Sequence, residues 1–175
     1  IIKALKILNN IHVLKDFHIL FVGAGELESE LKKNTNIIFD CEKKIDNHNA
    51  SNYLPKASFT GFVNQSKISE AYTAADLLVL PSDANETWGL VVNEAMASGL
   101  PCVVSDACGS SEDLVDTIDP LLRYPLGDIQ SLSNSIKHAS ENLPSKKKLK
   151  KIIDSYDFFH TVDTIEKLWS ISKEK

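Results

Sequence analysis

Two glutamates, Glu86 and Glu94, are the residues of this sequence best placed to do chemistry. They are separated by seven residues in the stretch ETWGLVVNEAMASGLP, residues 86–101. The segment after Gly89 is apolar on nearly every side, which is typical of a buried helix. An ionised carboxylate in such a helix is costly unless it is paired. Glu94 therefore pairs with a structural cation, extends its carboxylate to the surface, or accepts hydrogen bonds from a ligand.

The start of this helix is a natural seat for a phosphate or a diphosphate. The turn runs from Trp88 through Gly89 and Leu90 to Val91, where unpaired N–H groups and the positive end of the helix dipole coincide. Gly89 lets a ligand approach the backbone closely. Side chains on a helix lean towards its N-terminus, so Glu94 can reach the same ligand. A carboxylate repels phosphate but accepts two hydrogen bonds from a vicinal diol, such as the ribose of a nucleotide.

The elements around these residues alternate as in an α/β protein. Short apolar runs alternate with amphipathic helical segments, which predicts a mostly parallel sheet covered on both faces. Strands are predicted within residues 17–22, 36–39, 56–63, 76–81, 102–106 and 121–124. Ser66 and Asp128 are the predicted N-caps of two of the helices. The fold class is a doubly wound α/β domain, in which ligands bind beyond the carboxyl ends of the strands.

Composition and charge narrow the function classes. The 175 residues, 43% apolar and 25% charged, predict one soluble globular domain over 1–175. A net charge of −5 argues against a nucleic-acid partner. Neither the cysteines nor the aspartates have metal-ligand spacing, so we expect no metal and a reducing, cytoplasmic location. The basic run at 145–153 is interpreted as a solvated helix face, with peripheral contact to an anionic membrane as the alternative.

The segment PSDANETWGLVVNEAMASGLPCVVSDACGSSEDLV, residues 81–115, closely resembles the signature of the retaining GT-B glycosyltransferases of group 1, family 4. In that signature two glutamates separated by seven residues follow a Pro-Ser at a strand end. Upstream, FTGFVNQSKISEAYTAADLLVLPS and FHILFVGAGELESEL resemble the family's preceding strands and helices. The resemblance covers nearly the whole chain and implies the Rossmann-like C-terminal half of the GT-B fold.

The resemblance also implies roles for individual residues. Glu94 would bind the ribose hydroxyls of a nucleotide-sugar donor, and Glu86, the candidate catalytic residue, would contact the sugar near its reacting carbon. The diphosphate and part of the sugar would be held by the backbone of Thr87, Trp88, Gly89, Leu90 and Val91. The base would lie beside Phe62 and Val63, and the donor cleft would be bordered by Gly23 and Gly25. A tight strand-to-helix turn is the alternative for the two border glycines, and core packing is the alternative for Phe62.

The implied activity is transfer of a hexosyl-type sugar from a nucleoside diphosphate sugar to an acceptor, with retention of configuration. The sugar nucleotide is a donor substrate, and no cofactor is expected. Two alternatives remain open, namely a non-catalytic nucleotide-sugar binding module and a GT-B-type sugar-nucleotide epimerase.

The chain also departs from the family pattern. A basic pair that clamps the diphosphate lies between the first strand and first helix of such domains, and Ile1 to Leu5 resembles the start of that helix. We therefore expect the first strand, the pair and the acceptor-binding N-terminal domain to precede this chain, which alone would be inactive. Cys108 stands where glycine is common and is expected to stiffen the loop near the donor. At the C-terminus a helical face carries Phe158 and Trp169, for which we expect core or interdomain packing.

Overall fold

The computed structural model describes residues 1–10, 17–43, 45, 54–83 and 85–173 of the chain. The predicted alternation of strands and helices is present. The strands of the described residues are β1 (His18–Phe21), β2 (Asn36–Asp40), β3 (Lys56–Phe59), β4 (Leu78–Leu80), β5 (Cys102–Ser105) and β6 (Arg123–Tyr124). The α-helices are α1 (Ile2–Asn10), α2 (Glu28–Lys33), α3 (Ile68–Ala74), α4 (Leu90–Ala97), α5 (Asp116–Ile118), α6 (Ile129–Glu141), α7 (Lys146–Ile153) and α8 (Phe158–Lys173).

Every strand pairing in the described residues is parallel, so the prediction of a mostly parallel α/β domain is confirmed. The strands form two sets of three, in the orders β1-β3-β2 and β4-β5-β6. No strand ladder in this part of the chain joins β1 to β4. One hydrophobic core serves both sets, because Ile19 of β1 and Leu78 of β4 pack against the same cluster of buried residues.

The core lies around β5 and the inner face of α4. All four residues of β5 are buried, as expected for a strand covered on both faces. Helix α4 contributes Val92, Ala95 and Met96, all fully buried. This packing fixes how α4 is rotated about its axis, and therefore which way Glu94 points.

Two predicted helix caps have different outcomes. Asp128 caps α6, since its carboxylate accepts from the Ser131 N–H at 2.9 Å. Ser66 does not cap α3, whose N-cap is Lys67 without a side-chain cap bond. The reason is local competition: the Asn64 side chain accepts from both the N–H and the hydroxyl of Ser66 in an Asx turn, which removes Ser66 from the helix start.

The C-terminal helices differ from each other in their packing. In α7, Leu149 and Ile153 are buried while the lysines are exposed, an arrangement that fits both a solvated basic face and a surface that contacts a membrane. Helix α8 buries no residue, and the side chains of Phe158 and Trp169 are 78% and 65% exposed. Core packing is therefore wrong for α8, while interdomain packing stays a prediction. No helix of the described residues combines the length and the apolarity that crossing a membrane requires.

Candidate functional site

The turn before α4 requires glycine at position 89. Gly89, the N-cap of α4, has φ 84° and ψ 61°, a left-handed conformation that disfavours every residue with a Cβ. A Cβ at this position would lie 2.5 Å from the Sγ of Cys108 and 3.3 Å from Cδ2 of Leu80. The backbone of this turn is therefore held tightly against β4 and the loop that follows β5.

That loop braces the turn through backbone carbonyls. Cys108 Sγ donates to the carbonyl oxygen of Trp88 at 3.0 Å, and the Ser110 N–H donates to the same oxygen at 2.9 Å. The Gly109 N–H donates to the carbonyl of Thr87 at 3.2 Å. The Cys108 thiol thus links the loop after β5 to this turn, and its stiffening of the loop stays a prediction. These hydrogen bonds hold in place Thr87 and Trp88, part of the segment for which the resemblance implies contact with the diphosphate and the sugar.

The Glu86 side chain contacts the N-terminus of α4. Its Oε1 accepts a hydrogen bond from the Gly89 N–H at 3.0 Å, so it satisfies one of the unpaired amides of the N-terminus. The N–H of Val92 donates to the Gly89 carbonyl. No described residue accepts a hydrogen bond from the N–H of Leu90 or Val91. Sequence reasoning missed this cap, although an acidic residue three positions before a helix-starting glycine was an available signal.

Glu94 has two neutral partners, one on each carboxylate oxygen. The amide of Gln65, in the loop after β3, donates to Oε1 at 2.8 Å, and the hydroxyl of Tyr72, on α3, donates to Oε2 at 2.8 Å. Burial, together with the hydrogen bond to Glu94 and the charge of Glu94, raises the pKa of Tyr72, so its hydroxyl keeps the proton that it donates. No cation among the described residues pairs with Glu94, and the alternative of a structural ion pair is therefore wrong for this part of the chain.

Glu94 is half-buried and lines an open surface cavity of about 440 Å³. None of the other residues predicted for the donor site lines this cavity. The other residues lining this cavity are Asn93, Ala97, Ile153, Asp154, Tyr156 and Asp157. The described residues contain no group of three His, Cys, Asp or Glu side chains that could hold a metal ion.

The loop after β3 carries a second predicted site residue, Phe62, and contacts α4 through Gln65. Phe62 is 83% exposed, so its alternative of core packing is wrong. It follows Gly61, whose carbonyl accepts from the Gly23 N–H at 2.9 Å and so joins the ends of β1 and β3. Because Gln65 of this loop bonds Glu94, the exposed ring lies on the loop that is tied to α4.

The two glycines predicted at the cleft border differ in their backbone. Gly23 has φ 112°, so the strand-to-helix turn alone requires glycine there. Gly25 has no such requirement, and no heavy atom lies within 4 Å of a Cβ built on it. Val63, next to Phe62, is half-buried. The structure thus places Gly23 near the loop of Phe62 and leaves the space around Gly25 open.

Comparison with known proteins identifies the family. Residues 1–142 match the family model described as glycosyl transferases group 1. The chain is 28% identical over 171 residues to the UDP-Gal:alpha-D-GlcNAc-diphosphoundecaprenol alpha-1,3-galactosyltransferase of Escherichia coli, over 95% of this chain and 40% of that protein. It is 36% identical over 95 residues to a GDP-mannose-dependent alpha-mannosyltransferase of Mycobacterium tuberculosis, over 54% of this chain and 25% of the relative.

A solved structure shares the fold. The Anabaena protein HepE, crystallised in complex with UDP, has a TM-score of 0.55 and 18% sequence identity, and the match covers 96% of this chain and 52% of HepE. The chain thus spans about half the length of HepE and less than half of the two relatives. The fold expectation, one Rossmann-like half of a GT-B protein, agrees with this match. Because the family model covers most of its residues, the chain belongs to the group 1 glycosyltransferases.

Proposed function

We propose that this chain is the donor-binding half of a glycosyltransferase that moves a hexosyl sugar from a nucleoside diphosphate sugar to an acceptor with retention of configuration. The observation that carries the proposal is the half-buried Glu94 carboxylate, which is held by Tyr72 and Gln65 and not by a cation. A carboxylate oxygen has two lone-pair sites, so each oxygen of Glu94 can accept one further hydrogen bond. The 2′ and 3′ hydroxyls of a ribose are two such donors on adjacent carbons.

The diphosphate would lie at the N-terminus of α4. The amides of Leu90 and Val91 and the helix dipole favour an anion there, and they would stabilise the charge that develops on the leaving diphosphate. Glu86 is committed to the Gly89 amide through Oε1. Its Oε2 accepts no hydrogen bond from the described residues, and we assign this oxygen to the sugar. The donor is a substrate in this proposal, which invokes no further cofactor.

The base would stack on the exposed ring of Phe62, beside Val63, with Gly23 and Gly25 bordering the cleft. Stacking of a base on an aromatic ring contributes about 1 to 3 kcal/mol in single-stranded nucleic-acid complexes. The E. coli relative is named for UDP-galactose and the mycobacterial relative for GDP-mannose, while HepE was solved with UDP. Both uridine and guanosine nucleotides therefore belong in a binding panel.

The acceptor would be bound by a second domain, since relatives of the chain are longer than the part it matches. The three cysteines are free, which fits the reducing cytoplasm that we propose as the location of the reaction. The exposed lysines of α7 would serve a peripheral membrane contact if the acceptor is membrane-bound.

Nucleotide titration tests donor binding. We expect UDP or GDP to bind the intact gene product in a calorimetric titration, and Glu94→Ala to weaken that binding by about 1 to 3 kcal/mol, the range for hydrogen bonds to a charged group. Glu70→Ala is the matched control, because it removes an exposed carboxylate of α3 and should leave the affinity unchanged. Unchanged affinity in a folded Glu94→Ala variant would contradict the ribose assignment.

Turnover tests the catalytic half of the proposal. Glu86→Gln keeps an oxygen that can accept from the Gly89 N–H, so it preserves the helix cap while removing the charge. We expect it to lower transferase turnover more than nucleotide affinity, and NMR of the product to show the anomeric configuration of the donor. A gene product that binds sugar nucleotides but transfers no sugar to any acceptor would instead support a non-catalytic binding module.

A further inference from the structure

Glu94 is held by two donors that come from different elements and meet different oxygens. Tyr72 approaches Oε2 from α3, and Gln65 approaches Oε1 from the loop after β3, both at 2.8 Å. We propose that Tyr72 and Gln65 are positioning residues that orient the Glu94 carboxylate for the nucleotide's ribose diol, with Tyr72 as the principal one. This inference rests on the proposed function and adds to it the residues that orient the Glu94 carboxylate.

The physical need for such a device lies in the glutamate side chain. The terminal torsion of a glutamate is broad and weakly restrained, so a free carboxylate rotates about its last bond. One donor on each oxygen fixes the carboxylate plane. Because each oxygen has two lone-pair sites and accepts from one donor among the described residues, one site on each oxygen remains open in this part of the chain. Two open sites on neighbouring oxygens match two hydroxyls on neighbouring carbons.

Tyr72 is the better anchored of the two donors. Its side chain belongs to the hydrophobic core and is only 8% exposed, so the position of its hydroxyl is set by packing. Gln65 is exposed and lies on a loop, so its amide is restrained mainly by the bond to Glu94. Loss of the Tyr72 hydroxyl should therefore release the carboxylate more than loss of the Gln65 amide.

Tyr72→Phe in the intact gene product is the direct test, because it deletes one hydroxyl and keeps the ring in the core. The probe is UDP or GDP, whichever binds the wild-type protein, compared with the 2′,3′-dideoxynucleoside diphosphate of the same base. We expect Tyr72→Phe to weaken binding of the ribose nucleotide about fivefold, the order of one hydrogen bond. Affinity for the dideoxy nucleotide should stay equal in wild type and variant.

The dideoxy comparison separates positioning from general disruption. Equal weakening of both nucleotides, or no weakening of either, would overturn the role of Tyr72. If Tyr72→Phe does not fold, Gln65→Ala replaces it as the test, because it changes an exposed residue. It should weaken binding of the ribose nucleotide by a smaller factor and leave the affinity for the dideoxy nucleotide unchanged. If Glu94→Ala weakens binding while both variants leave the diol preference unchanged, the inference fails and the proposed function stands. If Glu94→Ala has no effect, the proposed function fails as well.

Discussion

Replacing Gly89 by alanine should destabilise the protein by about 2 to 5 kcal/mol. An alanine in the left-handed conformation of Gly89 costs about 1 to 2 kcal/mol. The added Cβ would also lie 2.5 Å from the Sγ of the buried Cys108. Overpacking of this kind costs about 1 to 3 kcal/mol. The two contributions have separate physical origins, so they can be measured separately.

A double-mutant cycle with Cys108→Ala isolates the steric contribution. Removing Sγ eliminates the closest overlap and leaves the backbone of Gly89 unchanged. Gly89→Ala in that background should therefore cost mainly the backbone part, about 1 to 2 kcal/mol, with a smaller contribution from Leu80 at 3.3 Å. Urea unfolding of the wild type, both single variants and the double variant gives the four free energies. Gly25→Ala is the control for the substitution itself, because Gly25 lacks a positive φ and has open space around its Cβ.

The cycle has a clear refuting result. If the effects of Gly89→Ala and Cys108→Ala add within about 0.5 kcal/mol, as for independent sites, the thiol does not set the limit on residue size at this turn. The Cys108 thiol would then not restrict the helix start, which the loop after β5 would hold through the Gly109 and Ser110 amides. A Gly25→Ala variant as unstable as Gly89→Ala would instead show that the loss does not depend on local geometry.

Three further predictions concern other parts of the chain. Phe62→Ala should change the free energy of unfolding by less than about 0.5 kcal/mol in urea titrations, because the ring is exposed, yet weaken nucleotide binding in calorimetry. Hydrogen bonding to Lys32 holds the pKa of Asp40 below its ordinary value of 3.8. That stabilisation is present above pH 3.8 and is lost as the pH falls through the folded-state pKa. Lys32→Met should therefore lower the free energy of unfolding at pH 7, and by less in acid, as measured by urea unfolding at a series of pH values. Trp169→Ser should leave the thermal midpoint nearly unchanged, and a large fall would show that α8 packs on the described core.

The sequence was most informative where local chemistry decides structure. The start of α4 after Gly89 and the cap at Asp128 depend on one or two neighbouring residues, and both are found where their patterns indicate. The left-handed conformation of Gly89 was not among the predictions. Ser66 shows how such a local signal fails, because a second polar residue two positions earlier competes for the same hydrogen bonds. Short-range signals predict helix ends well only when a single candidate is present.

The partners of Glu94 could not be read from the sequence. The pattern shows that a carboxylate on an apolar helix needs a donor, but Tyr72 lies 22 residues away and its ring was indistinguishable from an ordinary core residue. Only the packing of α3 against α4 brings the hydroxyl to the carboxylate. For α8, the apolar face was correctly identified as a helix face, yet periodicity does not state which surface covers it. Long-range pairing is thus the part of both the site and the fold that required coordinates.

The charges at the site indicate what a bound diphosphate still needs. Neither Glu86 nor Glu94 pairs with a cation among the described residues, so no described side chain offsets the charge of either carboxylate near the proposed ligand. The N-terminus of α4 supplies roughly half a positive charge, and Glu86 already uses one of its amides. That is too little to balance a diphosphate together with two carboxylates. Tight donor binding by this geometry therefore requires further positive charge, which is the role that the resemblance assigns to a basic pair ahead of α1.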